Sequence, residues 1–333
     1  MTRVAILGAT GYSALELIKI LLRHPEAEIV AVTSRQEGSP HIAAVHPSLA
    51  GRLNLQCEDL GPEAVAHRAE CVFSCLPHGV TAGLVPHLLA AGARVIDFSA
   101  DYRLNDADVY QQWYGEKHAD PGRLASAVYG LPELFKDQIR NAQLIANPGC
   151  YPTSAILALK PLMDLVEPGS IVVDAASGVS GAGKALKEET HFNSVDENLT
   201  AYGLLTHRHT AEMEMVLGSR TLFTPHLAPV NRGILATCHA VARGACDPLA
   251  VLREAYSDEP FVLVSDRPPS TKWTLGSNAV HLTARYDERT GRIVALAALD
   301  NLVKGAAGQM IQCANLLLGL EETAGLPKSG MWP

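Results

Sequence analysis

Apolar positions change period twice in the first 35 residues. In TRVAILGATGYSALELIKILLRHPEAEIVAVTSR, residues 2–35, a continuous apolar run from Val4 to Leu7 gives way to a glycine turn. Apolar residues at helical spacing follow from about Ser13 to Arg23, and a second apolar run extends from Ile29 to Thr33. The pattern predicts strand, helix and strand, a βαβ unit of ordinary length. Its turn sets Gly8, Gly11 and Ala14 at G-x-x-G-x-x-A spacing, which leaves backbone N–H groups facing a pyrophosphate at the helix N-terminus. The alternation continues with CVFSCLPHG (71–79) as strand and turn, VTAGLVPHLLAAG (80–92) as helix and ARVIDFS (93–99) as strand. An open parallel sheet is expected, with ligands beyond the carboxyl ends of its strands near Leu76, Pro77, His78 and Gly79, and near Ser99, Ala100 and Asp101.

The second half reads differently. NPGCYPTSAILALKPLMDLV (147–166) predicts a helix opening at Pro152, with Ile156, Leu157, Leu159 and Leu162 on its apolar side. SIVVDAASGVSGAGK and a long polar stretch follow, and the segments LFTPHLAPV, GILATCHAVA, AVHLTARYD and RIVALAALD predict strands of a mixed α+β domain. NLVKGAAGQMIQCANLLLGLEE (301–322) reads as a buried helix of small residues that returns to pack on the first domain. The boundaries predicted are 1–149 plus about 303–333 for a dinucleotide domain, and 150–302 for a catalytic and oligomerisation domain.

Composition narrows the function. The 333 residues, 47% hydrophobic and 19% charged, provide for two cores. A net charge of −8 without a Lys/Arg cluster argues against nucleic acid as a partner. No apolar run reaches the roughly 18–20 residues that cross a bilayer, and MTRVAILGATGY has no signal-peptide pattern. A cytoplasmic enzyme with no membrane partner is expected. Seven scattered cysteines suit a reducing compartment, and the spacing of Cys71 and Cys75 is that of packing residues rather than of a redox or zinc motif.

The cofactor and the nucleophile come from particular residues. The second strand ends in Thr33, Ser34 and Arg35 instead of an acid; a hydroxyl and a guanidinium there suit the 2′-phosphate of NADP over the bare ribose of NAD. Cofactor contacts are expected at Gly8, Thr10, Gly11, Tyr12, Ser13, Ser34, Arg35 and Pro77. Cys150 falls at a helix N-terminus, where the dipole favours thiolate; the other reading is a small buried filler. His207 and His209 in THRHTAEME offer a general base. With no third ligand and no acid noted at ligand spacing, no metal site is expected. SGVSGAGKA, residues 177–185, is either a phosphate cradle or a plain lid.

A reactive cysteine combined with a nicotinamide cofactor suits the interconversion of an acyl phosphate or thioester with an aldehyde. GATGYSALEL, SADYRL, YGLPEL, NPGCYPT, SGVSGAGK, THRH, FTPHLAPVNRGI and DNLVKGAAGQMIQCAN occur in collinear order from residue 3 to about residue 320. In these motifs the chain resembles the N-acetyl-γ-glutamyl-phosphate reductases, relatives of aspartate-semialdehyde dehydrogenase. The resemblance implies a Rossmann-type doubly wound parallel sheet domain plus an α+β substrate and dimerisation domain. It implies NADPH-dependent reduction of N-acetylglutamyl phosphate in arginine biosynthesis, with Cys150 as nucleophile and His209 as acid/base beside His207. It further implies anion binding by Arg103, Lys184, Arg208 and the loop from Ser177 and Gly178 to Lys184. Asn301 would meet the nicotinamide amide, and the assembly would be a homodimer or homotetramer. Alternatives are an aminoadipyl-phosphate reductase of lysine biosynthesis, aspartate-semialdehyde dehydrogenase itself, and an NADP-binding sensor without catalysis.

Overall fold

The computed structural model describes residues 1–332. It divides into two units, one of 1–148 with 306–326 and one of 149–305 with the residues from Pro327 on.

The first unit is built on seven strands: β1 (Thr2–Leu7), β2 (Ala27–Thr33), β3 (Cys57–Glu58), β4 (Cys71–Ser74), β5 (Arg94–Asp97), β6 (Val128–Tyr129) and β7 (Leu144–Ala146). They pair in the order β3-β2-β1-β4-β5-β7-β6, all parallel. The strands are apolar because both faces are covered, as parallel sheets require. Strand order reverses between β1 and β4, so a crevice opens beyond their carboxyl ends, at Gly8 and Cys75.

Helices α1 (Tyr12–Leu21), α2 (Pro62–Arg68), α3 (Val85–Ala90), α4 (Ala107–Tyr114) and α5 (Pro132–Arg140) lie between the strands. The small-residue segment near the C-terminus forms α9 (Gly308–Leu318), which packs on α1 and α5 of this unit. Asn315 Oδ1 and His24 Nε2 lie 2.9 Å apart. The Cys313 thiol donates to Gly130 O at 3.4 Å. Gly130 admits this contact, since a Cβ there would stand 2.7 Å from Ile145 and 3.2 Å from Cys313.

The second unit holds β8 (Ile171–Gly178), β9 (Thr200–Ala201), β10 (Thr221–Ala228), β11 (Ile234–Val241), β12 (Val262–Val264), β13 (Val280–Asp287) and β14 (Arg292–Leu299) in the order β12-β13-β14-β11-β8-β10-β9. Parallel and antiparallel pairs are mixed. Burial alternates along β8, β11 and β14, with Ala175, Ala236, Ala295 and Ala297 on the inner face. These small residues let α6 (Cys150–Leu159) settle on β11 and β14, and α7 (His209–Leu217) packs against α6. Helix α8 (Pro248–Ala255) covers β13. From Tyr151 to Leu159 every residue of α6 is buried, the signature of a core helix rather than an amphipathic one.

Two expectations shift. The helix after the proline-glycine turn starts at Cys150, not Pro152, with Gly149 as its N-cap; Pro152 occupies the third position, where the missing N–H still costs nothing because the first turn has no acceptor for it. The last residues, expected with the dinucleotide domain, join the second unit: Asn278 N–H donates to Pro327 O and Met331 N–H donates to Leu275 O, both at 2.8 Å.

Candidate active site

Helix α6 sets Cys150 at its first position, where N–H groups without intrahelical partners and the positive dipole end favour an anionic sulfur. Two glycines allow other groups to crowd it. A Cβ on Gly305 would stand 2.7 Å from the Cys150 Cβ, and a Cβ on Gly149 would overlap the His209 ring. Gly305 belongs to a π-helical turn, Val303–Ala307, that follows β14. Cys150 is thus enclosed between the backbone of that turn and the start of α7, with the imidazole of His209 against its own cap.

The two histidines are held differently. His207 Nδ1 accepts the His209 backbone N–H at 3.2 Å, which closes the entry to α7. Burial, then the Arg208 charge, pushes His207 down to about 4, so it is neutral at physiological pH. His209 opens α7 and points Nε2 toward Glu212 Oε1, 3.8 Å away.

Glu212 is fully buried, and its Oε2 accepts the Gly149 N–H at 2.9 Å. One carboxyl group therefore meets both the Gly149 cap of α6 and the His209 ring. His209 and Glu212 are three apart on a helix and share a face, a pairing that the sequence analysis did not use. The i, i+3 spacing in HTAE was the available signal. Among the described residues, no group of three His, Cys, Asp or Glu is arranged to hold a metal ion.

Aromatic rings complete the pocket. Tyr151 lies 5.9 Å from the His209 ring and 5.8 Å from the His207 ring, and Phe223 lies 5.4 Å from His207. Arg208, between the two histidines, is half-buried and is the one expected substrate cation of this unit placed beside them. Lys184 is exposed on the loop after β8.

Ser177 and Gly178 end β8, and Gly178 is tightly enclosed, for a Cβ there would lie 2.7 Å from the backbone of Asn231 and Arg232. Asn301 is buried; its Oδ1 accepts the Gly233 N–H at 2.8 Å and its Nδ2 donates to Ser180 Oγ at 3.0 Å. Breaking either bond inside the protein would cost about 1–3 kcal/mol. Asn301 therefore braces the Ser177–Lys184 loop first, and any nicotinamide contact must use its remaining valence.

In the first unit the glycine turn has the form a dinucleotide needs. Gly8 sits at φ 73°, and a Cβ would approach Cys75 O to 2.9 Å, so only glycine fits. Around Gly11 nothing stands within 4 Å of a would-be Cβ. The first turn of α1 has no acid to repel a phosphate. Thr33 Oγ1 accepts the Gly8 N–H at 3.3 Å and fixes the turn to the end of β2. Thr10 and Ser13 are half-buried along the turn, Tyr12 is more exposed, and Pro77 is exposed after β4.

Ser34 is buried, its Oγ accepting the Gln36 N–H at 3.1 Å, whereas Arg35 is exposed. Arg103 lies buried in this unit and donates from Nη2 to Phe98 O at 2.8 Å. The residues present therefore fit a nicotinamide dinucleotide, with an exposed guanidinium and no acid at the end of β2.

Comparison with known proteins agrees with this geometry. Residues 3–142 match the family model of the semialdehyde dehydrogenase NAD binding domain, and residues 150–301 match that of the semialdehyde dehydrogenase dimerisation domain. The chain is 45% identical to the N-acetyl-gamma-glutamyl-phosphate reductase of Moorella thermoacetica, covering 100% of both chains. It is 47% identical to that of Symbiobacterium thermophilum, covering 98% of both. Among solved structures, aspartate semialdehyde dehydrogenase II of Vibrio cholerae superposes with a TM-score of 0.71 at 19% identity, over 96% of this chain and 98% of that one. The enzyme of Candida albicans gives 0.71 at 15%, over 96% and 98%. At those identities the structural likeness bears on the fold.

Proposed function

We propose, from the premise that this chain belongs to the N-acetyl-gamma-glutamyl-phosphate reductase family, that it reduces N-acetyl-L-glutamyl 5-phosphate to N-acetyl-L-glutamate 5-semialdehyde. The reaction is a step of arginine biosynthesis and releases phosphate. The observation that carries the chemistry is the contact between the Cys150 helix cap and the His209 ring, across a glycine whose added Cβ would overlap that ring.

The steps follow from the side chains. His209 takes the thiol proton, and the sulfur of Cys150 attacks the γ-carbonyl carbon; the bond to the phosphate oxygen breaks and phosphate leaves a thioester. The Gly8–Ser13 turn with Ser34 and Arg35 would hold NADPH, which would supply a hydride to the carbonyl carbon of the thioester. As the tetrahedral adduct collapses, the aldehyde departs and His209 returns the proton to the sulfur. Glu212 stabilises the ring while it is charged. His207 is unsuited to that duty, because its Nδ1 is already an acceptor and its neutral form is favoured. Arg103, Lys184 and Arg208 are the cations proposed to hold carboxylate and phosphate.

The test is phosphate-dependent reduction of NADP+ with N-acetylglutamate semialdehyde, run beside aspartate semialdehyde and the aminoadipate homologue. Activity confined to the first is expected. Cys150→Ala should abolish it while NADPH affinity, read by fluorescence titration, stays near that of the parent protein; substantial residual turnover would remove Cys150 from its role.

The assembly is proposed to be a homodimer or homotetramer. The face of the second sheet opposite α6 carries Leu222, which is 50% exposed, with Leu235, Val241, Val294 and Leu296 partly open, an apolar surface of the kind a second copy covers. Light scattering checks it. No helix among the described residues is long and apolar enough to cross a membrane, and seven free cysteines fit a cytoplasmic location.

A further inference from the structure

His207 accepts the N–H that opens α7, and an imidazole nitrogen accepts only while it carries no proton. Three other rings pack around the half-buried His207 ring. Tyr151 and Phe223 come from the buried interior of the unit, at 5.8 and 5.4 Å. The third, Tyr202, lies 5.5 Å away at an interplanar angle of 69°. It comes from the excursion between β8 and α7, a segment that leaves Leu186, Phe192, Leu199, Leu204 and Leu205 exposed.

Tyr202 is anchored on its inner side although it is 38% exposed. Its hydroxyl donates to the Tyr151 hydroxyl at 3.2 Å, and Tyr151 donates to His226 O at 2.9 Å. The next residue, Gly203, turns at φ 56°, and a Cβ there would stand 3.4 Å from the same imidazole.

We propose that Tyr202 is a positioning residue for the reductase reaction, whose ring closes the solvent side of His207 and so keeps His209 and Glu212 in register with Cys150. The groups facing His207 are Arg208 and His209 from its own turn, Tyr151 from α6 and Tyr202 from the excursion, while Phe223 of β10 presents only carbon. Without the Tyr202 ring, water reaches His207 and its protonated form gains stability. A proton on Nδ1 then breaks the bond to the His209 N–H, and the start of α7 loosens.

The effect on rate rests on the reading of Cys150 and His209 given above; the effect on His207 does not. The experiment titrates the His207 ring by NMR and the kcat profile between pH 4.5 and 8 in the parent protein, Tyr202→Phe and Tyr202→Ala. The parent and Tyr202→Phe should keep His207 neutral down to about pH 4 and share one profile shape. Tyr202→Ala should raise the His207 midpoint to about 5.5, since Tyr151, Phe223 and Arg208 remain, so that kcat at pH 5.5 drops about twofold relative to its own plateau. An unmoved His207 in Tyr202→Ala overturns the proposal. So does an equal shift in Tyr202→Phe, which would assign the effect to the hydroxyl. If no variant reduces an acyl phosphate, the proposed reaction fails, and the NMR titration still decides what Tyr202 does to His207.

Discussion

Gly149 has an ordinary extended backbone, φ −67° and ψ 154°, so alanine there would suffer no conformational strain. Its methyl group would nonetheless fall on the His209 ring. Gly149→Ala should therefore cut kcat/KM by about 10²-fold, the scale of a 1 Å displacement of a catalytic group, with NADPH affinity and melting temperature close to those of the parent. Steady-state kinetics beside a thermal melt checks it, and an unaffected rate would mean that the cap does not set the position of His209.

Gly305, whose added Cβ would press on Cys150 from the other side, is the companion position. The sequence displayed Cys150 and the histidine pair plainly, because cysteine after a proline-glycine turn and two histidines two apart are unusual in themselves. It did not display the division of labour between the histidines. That depends on which nitrogen faces the His209 N–H and on how deeply each ring is buried, and neither is a property of spacing.

At the scale of elements, the long apolar strands of the second sheet were legible, and β10, β11, β13 and β14 fall within a residue or two of where periodicity placed them. Strands β3, β6 and β9 have two residues each and β12 has three, too few to show any period. The start of α6 was misread by two residues because proline is tolerated throughout a first turn.

The end of β5 yields a prediction of its own. Asp97 Oδ1 accepts the Ser99 N–H at 2.8 Å and Oδ2 accepts the Ser99 hydroxyl at 2.7 Å, yet burial, aided by the nearby Asp101 charge, pushes this carboxyl up to about 7 against the opposing Ser99 bonds and Arg103. The folded protein therefore holds a proton that the unfolded chain releases near pH 4. The stabilisation is complete below about pH 4 and is lost as pH rises through 7, with a slope approaching about 1.4 kcal/mol per pH unit inside that window. His207, lowered to about 4, acts in the opposite sense between about pH 4 and 6.5: its contribution is present above that range and is lost as pH falls through it. The two partly cancel in the parent protein. Urea unfolding at pH 5, 6 and 7 should show stability rising more steeply with pH in Asp97→Asn than in the parent; parallel curves would mean that Asp97 is ionised in the fold.

For the whole molecule, the first unit closes only when residues from the far end of the chain return to it. Helix α9 contributes Met310, Ile311 and Leu317 to its interior, and Arg94 Nη1 donates to Leu317 O at 2.8 Å. Sequence reading anticipated that return from the run of small residues after Asn301; it could not foresee that the chain from Pro327 on leaves again for the second unit, because the bonds holding it, to Leu275 and Asn278, are between backbone groups. A chain ending at Gly305 should lose more than α9. With Gly130, Ile145 and the outer side of α1 uncovered, limited proteolysis should cut within residues 1–148 under conditions where the full chain resists, and a resistant first unit would show that it folds without its last helix.

The same discontinuity imposes an order on synthesis. A ribosome finishes the seven parallel strands long before it makes the helix that seals them, so the nascent nucleotide-binding half must wait, with apolar surface uncovered, through the translation of the entire second sheet. A completed cofactor-binding half thus becomes evidence that translation has passed residue 318, and a prematurely terminated chain is left with an open flank for proteases to find.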